Sequence, residues 1–128
     1  MNQIGKIDLN TFEQFLLHRL GKPDPHVLVP PLTGVDSAVL KLDTGSVMIV
    51  AEDPIFPIPG KDYKDFGWYI VHIGASDVAV MGVKPQYITY TLLMPINTSQ
   101  EELRQIIDSI HNTALDLEMT ILGGHTGY

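Results

Sequence analysis

The stretch Gly67-Trp68-Tyr69-Ile70-Val71-His72-Ile73-Gly74-Ala75-Ser76-Asp77-Val78-Ala79-Val80-Met81-Gly82 decides how the chain is organised. It reads as a helix that is apolar almost all round, and such a helix is normally buried. Asp77 lies inside it. Its helical neighbours three and four positions away, Ile73, Gly74, Val80 and Met81, cannot pair with a carboxylate. A buried lone carboxylate is costly, so Asp77 requires a partner from elsewhere: a metal ion, a backbone donor or a proton of its own. Capping a neighbouring loop would satisfy the same need.

On the N-terminal side of this helix lies a run of short elements. The first helix begins near Asp8 or Asn10; Asn10 with Glu13 has the spacing of a capping box, and Leu9, Phe12, Leu16 and Leu20 lie on one helical face. Gly21-Lys22-Pro23 is a stop signal. Residues 27–29 and 38–42 read as strands, and Asp43-Thr44-Gly45-Ser46 as the turn of a hairpin to residues 47–51. The last run is continuously apolar, the pattern of a strand covered on both faces. Glu52-Asp53-Pro54 ends it. A proline-rich connection through Pro54, Pro57, Pro59 and Gly60 then leads to the central helix.

Beyond Gly82, residues 87–94 alternate as a strand with Ile88, Tyr90, Leu92 and Met94 on the better buried face. Ser99 and Glu102 form a capping box. Leu103, Ile106, Ile107, Ile110, Ala114 and Leu117 mark the core stripe of the helix that follows. Residues 119–122 form a last strand running into Gly123-Gly124-His125-Thr126-Gly127-Tyr128. An ending on a glycine-rich turn suggests a fragment of a longer protein. The order of elements predicts an α+β fold, a mixed β-sheet with helices packed on one face.

Composition narrows the function. The chain has 128 residues, enough for one domain with a real core. Fifteen acidic against eight basic side chains give a formal charge of −7, which argues against nucleic acid as a partner. There is no cysteine, so disulfides, thiolate nucleophiles and Cys-based zinc sites are excluded. The first residues lack the regions of a signal peptide, and no stretch is apolar for the length of a membrane span. Cytoplasmic location, with no membrane partner, is the expectation. His18 and His111 read as surface residues rather than ligands.

Three aspartates recur in similar settings: Asp36 in a loop before a strand, Asp53 at a strand end, and Asp77 in the apolar helix. His125 and Thr126 follow a Gly-Gly turn. Singly, Asp36 and Asp53 are ordinary turn residues. Together the three carboxylates suit a hard cation such as Mg²⁺, which bridges to phosphate oxygens. No Walker-type or dinucleotide-binding glycine motif is present.

Gly34-Val35-Asp36-Ser37-Ala38-Val39-Leu40 resembles the Gly-Asp-Asp-Ala-Ala-Val-Ile motif of the aminoimidazole ribonucleotide (AIR) synthase-related, PurM-like superfamily. Ala51-Glu52-Asp53-Pro54 resembles its Thr-Asp-Pro strand end. Residues 75–82 resemble its Asn-Asp-Leu-Ala-Met-Gly helix, and Leu122-Gly123-Gly124-His125-Thr126 its Gly-Gly-Asp-Thr turn. The motifs come in family order. Gly5-Lys6-Ile7, Phe66-Gly67-Trp68-Tyr69 and the Gly-Gly-His-Thr variant resemble the hydrogenase expression/formation (HypE-like) branch, archaeal type.

The resemblance implies that residues 1–128 are an N-terminal ATP-binding and dimerisation domain, with the family's C-terminal domain absent. Two such domains pair in a homodimer whose sheets close into a barrel-like core, with ATP near the interface. By the same resemblance Asp36, Asp53 and Asp77 hold Mg²⁺ around the ATP phosphates, and Lys6, His125 and Thr126 join the nucleotide site. The implied function is ATP-dependent activation of an amide-type oxygen, with a maturation protein as a further partner. A small-molecule kinase resembling thiamine-monophosphate kinase, or a non-catalytic dimerisation module, are the alternatives. The chain alone is expected to turn over little. Val35 and His125 stand where the family has aspartate, and a neutral His is the poorer Mg²⁺ ligand.

Overall fold

In the computed structural model, which describes residues 6–56 and 62–128, the chain clusters into one unit ending at Ala51 and a second running from Glu52 to Tyr128. In the first unit, Asp8 caps α1 (Leu9–Thr11) by accepting from the Thr11 backbone N–H at 3.0 Å. A π-helical turn (Phe12–Leu16) continues it. The cap therefore falls on Asp8, and the expected Asn10–Glu13 box does not form. Asn10 instead accepts from the Gln14 amide at 2.8 Å, and Glu13 accepts from the Thr33 hydroxyl at 3.3 Å. The wider π turn rotates the expected apolar stripe, and Leu9, Leu16 and Leu20 all remain exposed.

Strands β1 (Val27–Val29), β2 (Ala38–Lys41) and β3 (Val47–Val50) form an antiparallel sheet in that order. The predicted hairpin is present, with Ala38 opposite Val50 and Lys41 opposite Val47. Its turn closes through Leu42 and Ser46, and Gly45 supplies the left-handed residue at φ 84°. The expectation that the 47–51 run is covered on both faces is not met within this chain. Val47, Met48 and Val50 are each exposed by more than two fifths. An antiparallel sheet permits one open face, whereas the apolar pattern anticipates a cover.

The second unit contains α2 (Tyr63–Ala79), β4 (Tyr87–Leu93), α3 (Gln100–Asp116) and β5 (Thr120–Gly127). β4 and β5 pair in parallel, joined by α3 as the crossover. Parallel and antiparallel pairs thus occupy two separate sheets rather than one mixed sheet. The core joins Phe66, Val71 and Ala75 of α2 to Ile106, Ile110 and Ala114 of α3, together with Leu92, Met94 and Met119. Ile88, Tyr90 and Ile121 pack against it from the strands.

Helix α2 buries one face only. Trp68 on its other side is 48% exposed, and Val80 just past its end is 68% exposed. Its high apolar content therefore does not reflect burial all round within this chain. In α3 the stripe is as expected except Ile107, which lies off the core face at 40% exposure. The far face of the β4–β5 sheet is likewise open, with Tyr87 at 63% and Leu93 at 70%.

The Ser99–Glu102 capping box is formed in both directions. The Glu102 N–H donates to the Ser99 hydroxyl at 3.2 Å, and the Ser99 N–H donates to the Glu102 carboxylate at 2.8 Å. The Ser99 N–H, and then its hydroxyl, hold the Glu102 carboxyl below the usual range. A lowered folded-state pKa contributes stability above the unfolded value, lost as pH falls through the folded one. Ser99→Ala is expected to cost about 1 kcal/mol in urea unfolding. An unchanged midpoint would show that α3 is held by its packing alone.

Candidate functional site

The candidate residues sit at the ends of regular elements. Lys6 is exposed in the bend before α1. Asp36 is exposed in the loop entering β2, where Gly34 takes φ 78° and the Val35 N–H donates to the Leu32 carbonyl at 3.3 Å. The next residue, Ser37, is buried and engaged, so the loop is anchored immediately beyond the carboxylate.

Asp53, Asp77, His125 and Thr126 belong to the second unit. Asp53 is exposed in the coil that opens it. Asp77 lies in the last turn of α2; it is half-buried, with its own interaction, rather than the fully buried lone carboxylate the helix pattern suggested. Here α2 is a surface layer, so water reaches the residue. Past Asp77, Gly82 takes φ 83° and ends the helical path as expected.

His125 and Thr126 lie within β5, not in a turn after it. His125 stands opposite Thr91 and Thr126 opposite Leu92, and both are exposed. They occupy the carboxyl-terminal half of a parallel pair, the end at which open parallel sheets bind ligands. The glycines before them have a physical cause. A Cβ on Gly124 would lie 1.8 Å from the Tyr90 carbonyl oxygen. The pairing register shifts between Ile88 and Thr89, just before this close approach.

Oxygen donors of this kind suit a hard cation. Among the described residues no group of three His, Cys, Asp or Glu side chains is gathered closely enough to hold a metal ion unaided. Any cation would therefore draw ligands from phosphate oxygens or water as well. No described helix is long and apolar enough to cross a membrane.

A groove of about 670 Å³, not foreseen from the sequence, lies on the outer side of α2 and α3. It is lined by Asp65, Trp68, Gln105, Asp108 and Asn112 among others, and by none of the candidate nucleotide- or metal-binding residues. The only advance signal was the Trp68-Tyr69 pair on a helix expected to be buried.

A parallel strand pair covered by two helices, together with an antiparallel three-stranded sheet, defines an α+β fold. The family description "AIR synthase related protein, N-terminal domain" matches residues 34–128, and the chain belongs to that family. It is 30% identical over 91 residues to a protein of Methanocaldococcus jannaschii named for hydrogenase expression/formation, covering 66% of this chain and 27% of the relative. It is 33% identical over 104 residues to the selenide, water dikinase of Enterobacter sp. strain 638, covering 80% and 30%. Among solved structures, AaThiL complexed with AMPPCP and TMP shares the fold at TM-score 0.69 and 15% identity, over 77% of this chain and 33% of that one. The chain thus spans about a third of the length of the proteins it matches, from 27% to 35%.

Proposed function

We propose that this chain is the ATP- and Mg²⁺-binding N-terminal domain of a hydrogenase-maturation-like protein that uses ATP to activate an amide-type oxygen. The observation that carries the reading is the family match over residues 34–128, which takes in Asp36, Asp53, Asp77, His125 and Thr126 together. The relatives support it. One is named for hydrogenase formation, another is named a dikinase, and the shared fold of AaThiL holds AMPPCP, a β,γ-methylene analogue of ATP.

In this reading Asp36, Asp53 and Asp77 supply carboxylate oxygens to Mg²⁺, which when bound neutralises phosphate charge. Lys6 offers an ammonium and Thr126 a hydroxyl to phosphate oxygens. His125 contributes a ring nitrogen that can hydrogen-bond a phosphate. The acceptor's binding groups lie largely outside these residues, so turnover by this chain alone is small.

The open apolar faces at Val47, Met48 and Val50, and at Tyr87 and Leu93, support pairing of two chains in a cytoplasmic homodimer. A kinase resembling thiamine-monophosphate kinase is the second reading, favoured by the fold shared with AaThiL. A dimerisation module with a decayed nucleotide site is the third, favoured by Val35 and His125 at motif positions.

Calorimetric titration of AMPPCP, with and without Mg²⁺, tests the proposal. Magnesium-dependent heat lost in Asp77→Ala is expected, from a species of twice the chain mass by sedimentation. Binding without magnesium dependence, or unchanged by Asp77→Ala, would refute the metal assignment. A dimer that takes up no nucleotide would leave the module reading.

A further inference from the structure

We propose that the outer groove between α2 and α3 docks an arginine-bearing extended segment of a partner protein. This inference is independent of the nucleotide reading, because the groove contains none of Lys6, Asp36, Asp53, Asp77, His125 or Thr126.

The groove is fixed by the helix crossing beneath it. Gly67 of α2 lies so close to α3 that a Cβ there would meet the Ile110 nitrogen and the Ser109 Cβ at 2.6 Å. With no side chain at Gly67, the helices are locked together, and the larger residues on either side form the walls. The shape is therefore present before any partner arrives, which lowers the ordering cost of binding.

Trp68 gives one wall its character. His72 stacks on the indole with ring centroids 3.8 Å apart and an interplanar angle of 22°. The His72 Nδ1–H donates to the Trp68 carbonyl at 3.0 Å, which holds the pair in place. The indole nevertheless stays 48% exposed and borders the groove. A rigid, half-exposed indole beside a carboxylate is the pairing that a planar guanidinium satisfies, by stacking and by charge at once.

The charges agree. Lys64, the groove's cation, points its ammonium to Asp62 at 3.3 Å. Asp108 is bonded to Arg104 at 2.7 Å, so an arginine already occupies that side. Asp65 carries no ion pair among the described residues and sits next to this aromatic wall. The chain's charge of −7 adds long-range attraction for a basic segment.

A peptide suits the remaining lining better than a compact small molecule does. Ser109 and Asn112 present a hydroxyl and an amide along one side, the groups that bond a peptide backbone, while Gln105 lies beside them with its NH2 donating to Glu101 at 3.0 Å. The groove is open to solvent, whereas small-molecule sites enclose most of their ligand.

Trp68 is the only tryptophan, so its emission reports on the groove directly. The probe is acetyl-Gly-Arg-Gly-amide, with the citrulline tripeptide as an uncharged control of equal shape and argininamide as a small cation. A saturable emission change is expected with the arginine peptide, weaker with argininamide and absent with citrulline. Amide shifts should map to residues 64–69 and 105–113. Asp65→Asn should weaken binding by about three- to fivefold, the scale of one exposed cation contact. Asn112→Arg, at an exposed position, should abolish the response by placing a guanidinium in the groove. An unsaturable change, an equal citrulline response, shifts elsewhere, or argininamide binding as tightly as the peptide would overturn the proposal.

Discussion

Replacing Gly124 with alanine should break the β4–β5 pair. The added Cβ would lie 1.8 Å from the Tyr90 carbonyl oxygen, 2.8 Å from its carbon and 3.0 Å from its nitrogen. These are backbone atoms of the neighbouring strand, so no side-chain rotation relieves the clash. Gly124 also takes φ 150°, which an L side chain rarely adopts. Overpacking costs about 1–3 kcal/mol and a strained backbone about as much again. Together these are about 2–6 kcal/mol, whose upper end reaches the lower end of an ordinary domain's stability.

Gly124→Ala is therefore expected to lower the melting temperature steeply or to leave the second unit unfolded by circular dichroism. Gly123→Ala separates the two causes. Gly123 takes φ 140° but would meet nothing within 4 Å, so only the backbone cost applies. Equal losses in the two variants would show that conformation, not contact, dictates the glycine. The result bears on function because His125 and Thr126 are placed by this strand. A β5 displaced from β4 carries both away from the end of the sheet.

The legible features were those set by local rules. The Ser99–Glu102 box, the hairpin ending at Val50 and the Gly82 stop follow from caps, turn chemistry and alternation, and the structure contains all three. Cover was less legible, because periodicity says which residues are apolar and not what packs on them. Val47, Met48 and Val50 read as a strand buried on both faces, and Trp68 lies in a helix that reads as buried all round. Within this chain they are exposed.

The π-helical turn at Phe12–Leu16 escaped for a different reason. A pattern matched to 3.6 residues per turn has no place for one extra residue. As for the site, the family motifs mark where the candidate residues lie in the chain, and the sheet register then puts His125 and Thr126 inside a strand. The α2–α3 groove arises from the absence of a side chain at Gly67 and from the walls on either side, a relation between helices that no single-helix pattern encodes.

That crossing yields opposite results from one substitution made twice on the same helix. Gly67 and Gly74 both lie in α2, and in an unconstrained helix each change to alanine would stabilise by about 0.5–1 kcal/mol. A methyl on Gly74 would meet nothing within 4 Å, so Gly74→Ala should realise that gain. At Gly67 the methyl would meet the Ile110 nitrogen, the Ser109 Cβ and the Ile106 carbonyl oxygen within 2.7 Å. Accommodating it means pushing α3 away, which uncovers Ile106 and Ile110, both 0% exposed in the native fold. Overpacking of about 1–3 kcal/mol, plus partial loss of that burial, outweighs the helix gain. Urea unfolding of the two variants should therefore move in opposite directions from the parent, with Gly67→Ala lower by about 2–4 kcal/mol. Parallel shifts would mean that the helices part at little cost and that the groove is not fixed by the crossing. In that case the preformed shape argued for the groove would lose its physical basis, whatever the peptide titration found.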